Sequence, residues 1–341
     1  MLKILDVSAL VHTGASAFGD RQFYGYPVGG IHYLMRYVST ALLYRDDLAL
    51  CFDSPSFRLQ LQGNYKSGRV HNAPVISQIE TLYENLSACG IKCLKYDGYE
   101  ADDIIHWISS AYCKVYDEIE IIGNDHDLCH SVRNGVSFKA CRSGMNNVNC
   151  GNFETAIIQC VKIPFNTISA YKVFCGCPSD SIPAMSMLNG MSSAKVYAEY
   201  LKFLEENDVM HPYEYVTSKS LPTYFAEKSG LFTESEIKEV EKRVELVYPA
   251  NKPDNIDLTK AVTSVFDVDV NAIAHFLALY GDKDSLACFD TKPKITEYDK
   301  QIVRDKVKLL SSGSFAVDHS IEDVPRVDSS VLRLDSFSRD F

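Results

Sequence analysis

Ile121-Ile122-Gly123-Asn124-Asp125-His126-Asp127 reads as an apolar strand that runs into a pair of aspartates. The same pattern occurs twice earlier, in Ile4-Leu5-Asp6 and in Leu50-Cys51-Phe52-Asp53. Short β-branched or apolar runs predict strands over Leu2–Leu5, Leu48–Phe52, Lys92–Tyr96, Glu118–Ile122 and Val136–Ala140. Between them, Ile31–Leu43, Val75–Ala88 and a stretch from Ala101 have helical periodicity, the last with Ile104, Ile108, Ala111 and Tyr112 on one face. Strands alternating with helices imply right-handed crossovers and a largely parallel sheet covered on both sides. The expected fold class is therefore α/β, a mainly parallel central sheet flanked by helices.

In a parallel sheet the C-terminal strand ends share one edge, where ligands usually bind. Asp6, Asp53, Asp125 and Asp127 should meet there. Glu100-Ala101-Asp102-Asp103 opens a helix after the third strand, and Asp180 lies in Gly176-Cys177-Pro178-Ser179-Asp180-Ser181-Ile182-Pro183. One acid at a strand end ordinarily solvates a loop or caps a helix. Acids at a helix start complement its dipole. Recurrence at a single sheet edge is what those ordinary roles explain poorly. Two carboxylates about 4 Å apart repel by roughly 4 kcal/mol even at an effective dielectric of 20. Eight converging acids therefore demand protons or divalent cations, and oxygen-only ligation selects hard ions, Mg²⁺ or Mn²⁺.

The rest of the composition sets boundaries. The chain has 341 residues, 46% hydrophobic and 23% charged, ordinary values for a globular protein. Its stretches show no 18-residue apolar run, and Lys3 and Asp6 interrupt the apolar start, so neither a signal peptide nor a membrane span is expected. Eleven scattered cysteines point to free thiols in a reducing cytoplasm, the host's if the source is viral. The net charge of −11 is unevenly spread. Residues 205–341 hold 26 Asp/Glu against 17 Lys/Arg, and residues 1–204 hold 19 against 17. Two acid-free stretches, Ser54–Ile79 with Arg58, Lys66 and Arg69, and Leu128–Phe153 with Arg133, Lys139 and Arg142, leave room for an anionic polymer beside an acidic pit.

Taken in order, these motifs resemble the flap endonuclease and 5′→3′ exonuclease family, which includes the 5′-nuclease domain of bacterial DNA polymerase I and phage enzymes, some first described as ribonuclease H. The likeness covers roughly residues 1–285. It rests on Leu5-Asp6, Gly25-Tyr26-Pro27-Val28-Gly29-Gly30, Phe52-Asp53-Ser54, Tyr65-Lys66-Ser67-Gly68-Arg69, Gly98 to Asp103, Gly123 to Leu128 and Gly176 to Pro183. The resemblance implies a PIN-like nuclease core over residues 1–150 with a helical arch near 54–80. A mainly helical duplex-binding region over 151–317 would carry a degenerate helix-hairpin-helix near 176–200, while 318–341, polar, Ser/Asp-rich and weakly periodic, reads from its own composition as a loose tail. It implies one metal at Asp6, Asp53, Glu100 and Asp102 with Asp103 near them, and a second at Asp125 and Asp127 with help from Asp180. Lys66 and Arg69 match catalytic basic residues of the arch, and Arg58, Lys66, Arg69 and Tyr26 are the expected nucleic-acid contacts. The implied activity is two-metal hydrolysis of DNA or RNA–DNA with 5′ ends or flaps, or of RNA primers. A replication polymerase or single-strand binding protein is the implied partner, and a monomer the default.

Two departures stand out. Cys177 replaces the family's usual Asp, which weakens the second metal position, and Ser181 replaces an Asn. Ala184–Ala194 lacks the Gly-x-Gly rhythm of a duplex-gripping hairpin and keeps only Asn189-Gly190 as a turn. Those departures keep an alternative open, a scaffold that binds branched nucleic acid and cuts poorly. Cys175 with Cys177, or Cys89 with Cys93, lack a second pair spaced for zinc. His126 could meet phosphate, and Tyr24 or Tyr26 could stack on a base.

Overall fold

The computed structural model describes residues 1–69, 72–141, 147, 155–158, 161–164, 167–185, 190–207, 219–291 and 293–312. Arg142, Asn189 and the expected tail at 318–341 lie outside the described residues.

The first strand, β1 (Leu2–Asp6), is followed by α1 (Val7–Ala17), a small hairpin of β2 (Gln22–Phe23) and β3 (Tyr26–Pro27), and α2 (Gly29–Tyr44). Next come β4 (Asp47–Cys51), the short α3 (Arg58–Leu61), α4 (Ala73–Ala88), β5 (Cys93–Leu94), α5 (Ala101–Tyr112), β6 (Ile119–Gly123) and β7 (Val136–Ala140). The five longer-range strands form one sheet in the order β5-β4-β1-β6-β7, every pair parallel. β1 lies at its centre, with Asp6 opposite Cys51 and Leu5 opposite Ile122. Such central strands need apolar side chains on both faces. Successive residues supply them. Ile4, Ala49, Cys51 and Ile121 join one core with α5, whereas Leu5, Leu48, Leu50 and Ile122 join the other with α1, α2 and α4.

Glycine sets the spacing of the second layer. A Cβ on Gly14 of α1 would overlap Tyr33, and one on Gly30 would overlap Val11, so these glycines let α1 and α2 touch backbone to backbone. The buried Gln78 of α4 fastens the junction, accepting from the N–H groups of Gly30 and Ile31 at 2.9 and 3.2 Å.

From about Phe153 the sequence signal for strands fades, yet β8 (Thr155–Ile158) and β9 (Val161–Pro164) pair as an antiparallel hairpin. The β-branched run through Ile157, Ile158, Val161 and Ile163 was the available clue. Helices follow: α6 (Ile168–Cys175), α7 (Ser193–Glu206), then Ser220–Lys228 and Glu234–Val247. Phe174, Tyr200 and Phe225 knit them together, with ring centroids 5.4 to 5.9 Å apart. The chain then returns to the opposite face, where Ile273, Phe276, Leu277 and Tyr280 pack on the second core. Among the described residues no helix is long and apolar enough to cross a membrane.

Candidate active site

Asp6 is the last residue of β1 and also caps α1, its Oδ1 accepting from the Ala9 N–H at 3.0 Å. Asp53 stands two residues beyond β4, with Oδ1 accepting from the Ala101 N–H at 2.9 Å, which ties the strand end to the start of α5. Asp125 stands two residues beyond β6 and caps the turn that carries Asp127, accepting from its N–H at 3.0 Å. Gly123 packs at this edge against the tip of Leu128 and the side chain of Asp6. The parallel topology thus delivers Asp6, Asp53 and Asp125 side by side.

All eight acids singled out in the sequence, Asp6, Asp53, Glu100, Asp102, Asp103, Asp125, Asp127 and Asp180, line one cavity of about 270 Å³. Lys66, Arg69 and Arg58 line it too. The stretch expected to arch, 54–80, comprises α3, a run of turns and the start of α4. It closes onto this acidic edge: the Lys66 N–H donates to the Asp180 carbonyl at 3.1 Å, and Lys66 sits in left-handed backbone at φ 55°. Its ammonium pairs with Glu100, as does the Tyr65 hydroxyl at 3.1 Å. Arg69, half-exposed at the rim, pairs with Asp180 at 3.0 Å.

Three expectations are corrected. Arg58 does not face nucleic acid. It is 3% exposed, and its guanidinium grips both oxygens of Asp103 at 2.8 and 2.9 Å, Glu100 at 3.0 Å and the Tyr248 carbonyl at 2.8 Å. Asp103 in turn has no oxygen to spare for a metal, since it also accepts from the N–H groups of Ala250 and Glu100. The pair is a structural clamp that joins α5 to the chain after helix Glu234–Val247. Tyr26 cannot stack on a base, being fully buried with its hydroxyl bonded to Ser77 and Thr81 at 2.6 and 3.0 Å. Tyr24 is the exposed tyrosine of that hairpin, with the Arg304 guanidinium 5.8 Å from its ring centre. The cysteines weighed for zinc, Cys89, Cys93, Cys175 and Cys177, are free thiols.

The charges separate the acids into two kinds. Burial opposes ionisation of Glu100 and Asp103, but Lys66 and Arg58 outweigh it for the first and Arg58 for the second, so both carboxyls lie below the ordinary range. Burial likewise opposes ionisation of Asp125, yet Lys172 and the Asp127 N–H hold it low. Asp6 is the reverse case: burial and the neighbouring Asp53 push its carboxyl up to about 7. Burial, Asp6 and Asp125 push Asp102 well up as well, and burial brings Asp127 to about 6 even beside Lys172. Negative charge at Asp6 and Asp102 is thus left for something outside the chain to neutralise.

As the side chains stand, no three described His, Cys, Asp or Glu form a ready-made metal cage. The donor chemistry fits one nonetheless. Asp6, Asp53 and Asp102, carboxylates in one cavity with no ion pair among the described residues, offer only oxygen donors, which suit Mg²⁺ or Mn²⁺. Sequence reasoning missed Lys172, His12, Asn124 and Tyr65. His12, Asn124 and Tyr65 line the cavity, and Lys172 reaches Asp127 at 2.5 Å. Lys172 had a readable signal, one cation inside the otherwise uncharged Ile168–Cys175, all of it buried. A larger cavity of about 1240 Å³ shares only His130 and Pro249 with the acidic one and has Asp257 as its single acid, so the carboxylate chemistry is not there.

Compared with known proteins, residues 1–156 match the family described as 5′-3′ exonuclease, N-terminal resolvase-like domain. DNA polymerase I of Synechocystis sp. is 27% identical over 161 residues, 45% of this chain and 16% of that protein. The 5′-3′ exonuclease of Bacillus subtilis is 26% identical over 183 residues, 52% of this chain and 60% of that protein. The matches therefore span less than two thirds of either relative. Two solved structures of the bacteriophage T5 protein share the fold. One, co-crystallised with metal ions, has a TM-score of 0.51 at 14% identity, covering 90% of this chain and 99% of that one. The other, a flap endonuclease pseudo-enzyme–product complex with DNA and metal ions, has a TM-score of 0.50 at 13% identity, covering 91% and 99%. The parallel sheet and the ordered acids at its edge agree with these likenesses: residues 1–156 match the 5′-3′ exonuclease N-terminal resolvase-like domain, and the chain shares the fold of the two phage T5 structures.

Proposed function

We propose that this chain is a divalent-metal-dependent 5′-nuclease acting on DNA or RNA–DNA with 5′ ends or flaps. The observation that carries the reading is the meeting of Asp6, Asp53 and Asp102 in one cavity where no described cation pairs with them. Those three carboxylates would hold the ion, with Glu100 beside them. When bound, a divalent cation supplies Lewis-acid activation of water and of phosphate oxygens. The chain's own work is positioning. Asp53 is fixed by Ala101 and Asp6 by Ala9, so their free oxygens stay aimed into the cavity. Lys66, paired with Glu100, and Arg69, paired with Asp180, line the same cavity and would meet the scissile phosphate and its developing charge. The resemblance further implies a second ion at Asp125 and Asp127 with Asp180, and replication proteins as partners.

The scaffold reading keeps one specific support, the thiol of Cys177 where the family has a carboxylate. Incubating the chain with a 5′-flap duplex labelled at either end, in Mg²⁺ and separately in Mn²⁺, beside Asp125→Ala, decides between them. Metal-dependent products that vanish in the variant are expected, and their lengths separate end-trimming from flap cutting. A flap that stays bound and intact in both metals would sink the nuclease reading and leave the scaffold.

A further inference from the structure

The acidic cavity settles its charge differently at its two ends. At the first, Asp6, Asp53 and Asp102 make no ion pair among the described residues, and the hydrogen bonds they accept come from the backbone. At the second, the Lys172 ammonium lies 2.5 Å from Asp127 Oδ2, with side chains only 10% and 13% exposed. Lys172 projects from α6, every residue of which is buried, so the ammonium is held at this spot by the packing of the helix. Arg69 takes one oxygen of Asp180 at 3.0 Å, and the Cys177 thiol donates to the other at 3.1 Å. Asp125, Asp127 and Asp180 thus face Lys172 and Arg69, whereas at the first end Lys66 is taken by Glu100 and Asp6, Asp53 and Asp102 keep no ion pair among the described residues. A thiol is also a poor ligand for a hard cation.

We propose that the cavity takes one tightly held divalent ion, at Asp6, Asp53 and Asp102, and that Lys172 is the fixed cation of the Asp125–Asp127 end, in place of a second ion. This rests on the nuclease reading of the same site. Lys172 is a compact point charge, able to stabilise negative charge at that end of the cavity without dissociating. A second divalent ion would have to displace a buried ammonium and the Arg69 contact together.

Titration of the full chain with Mn²⁺, followed by the paramagnetic resonance of the free ion and by calorimetry, tests this without reference to cleavage. Wild type should bind one tight equivalent. Lys172→Met should gain a second, and Asp6→Asn should weaken the tight one by roughly tenfold or more. Asp127→Asn should leave that equivalent in place, which keeps the test sharp if Lys172→Met fails to fold. Two equivalents of similar affinity in wild type would overturn the proposal and leave the nuclease reading standing. A single equivalent in a folded Lys172→Met would overturn the role given to Lys172. Absence of any tight ion would overturn both readings.

Discussion

Asp102 and Asp103 are neighbours in the chain at the same helix start, the first partly exposed and the second fully buried, and they meet opposite fates. Asp103 turns toward Arg58 and is matched atom for atom, with both oxygens gripped and its charge stabilised. Asp102 lines the cavity beside Asp6, where burial and the like charges of Asp6 and Asp125 outweigh Lys66. The first arrangement holds the fold together. The second stores repulsion that a bound cation would relieve. What separates the structural acid from the functional one is the charge of the groups it meets.

The comparison breaks most visibly if the unmatched acids are changed. Asp6→Asn should lower flap cleavage by about a thousandfold, measured at saturating Mg²⁺, with metal-free thermal stability kept or raised because a repelling charge is gone. A variant that lost stability along with activity would place Asp6 with Asp103. Arg58→Met attacks the matched side. It leaves Asp103 buried without its partner, and breaking such a pair costs about 3–5 kcal/mol, read from urea denaturation. Arg58→Met combined with Asp103→Leu should recover part of that loss. An Arg58→Met variant of full stability would mean the clamp is ornamental.

A pH series sharpens the same contrast. The folded Asp6 carboxyl is raised to about 7, above its unfolded value of 3.8, so its protonated form is favoured in the fold. That contribution is complete below the unfolded value and lost as pH rises through 7. In chelator, the stability of wild type relative to Asp6→Asn should fall by about 2 kcal/mol from pH 5 to pH 7, and Mn²⁺ should abolish the fall. A flat difference in chelator would show Asp6 to be neutralised from within. The smallest effect is expected at Tyr26→Phe. Losing the hydroxyl contacts with Ser77 and Thr81 should cost about 1 kcal/mol, with flap affinity unchanged in a binding titration. Weakened DNA binding at full stability would restore Tyr26 to the substrate.

Much of this was legible in the residues because it is local. Val136–Ala140 forms with the bounds its patterning predicts, and β1, β4 and β6 differ from expectation by a residue at most at either end. The strand expected at Lys92–Tyr96 shrinks to Cys93–Leu94, the two residues that pair with β4. The hairpin of β8 and β9 was missed because short apolar runs read ambiguously without their partner. Among the site residues, the acids at strand ends followed from topology. The partners of Arg58, Asp103 and Lys172 did not, because Asp103 and Asp127 lie 45 positions from the cations that hold them.

By itself, then, the sequence determined that strands end in acids and that a parallel sheet gathers those ends on one edge, because alternation and crossover handedness are properties of neighbouring residues. Only the tertiary structure decided which acid keeps an unmatched charge. That depends on which cation a distant helix brings within 3 Å, and at such distances in a buried cavity the pairing energy exceeds anything local patterning encodes.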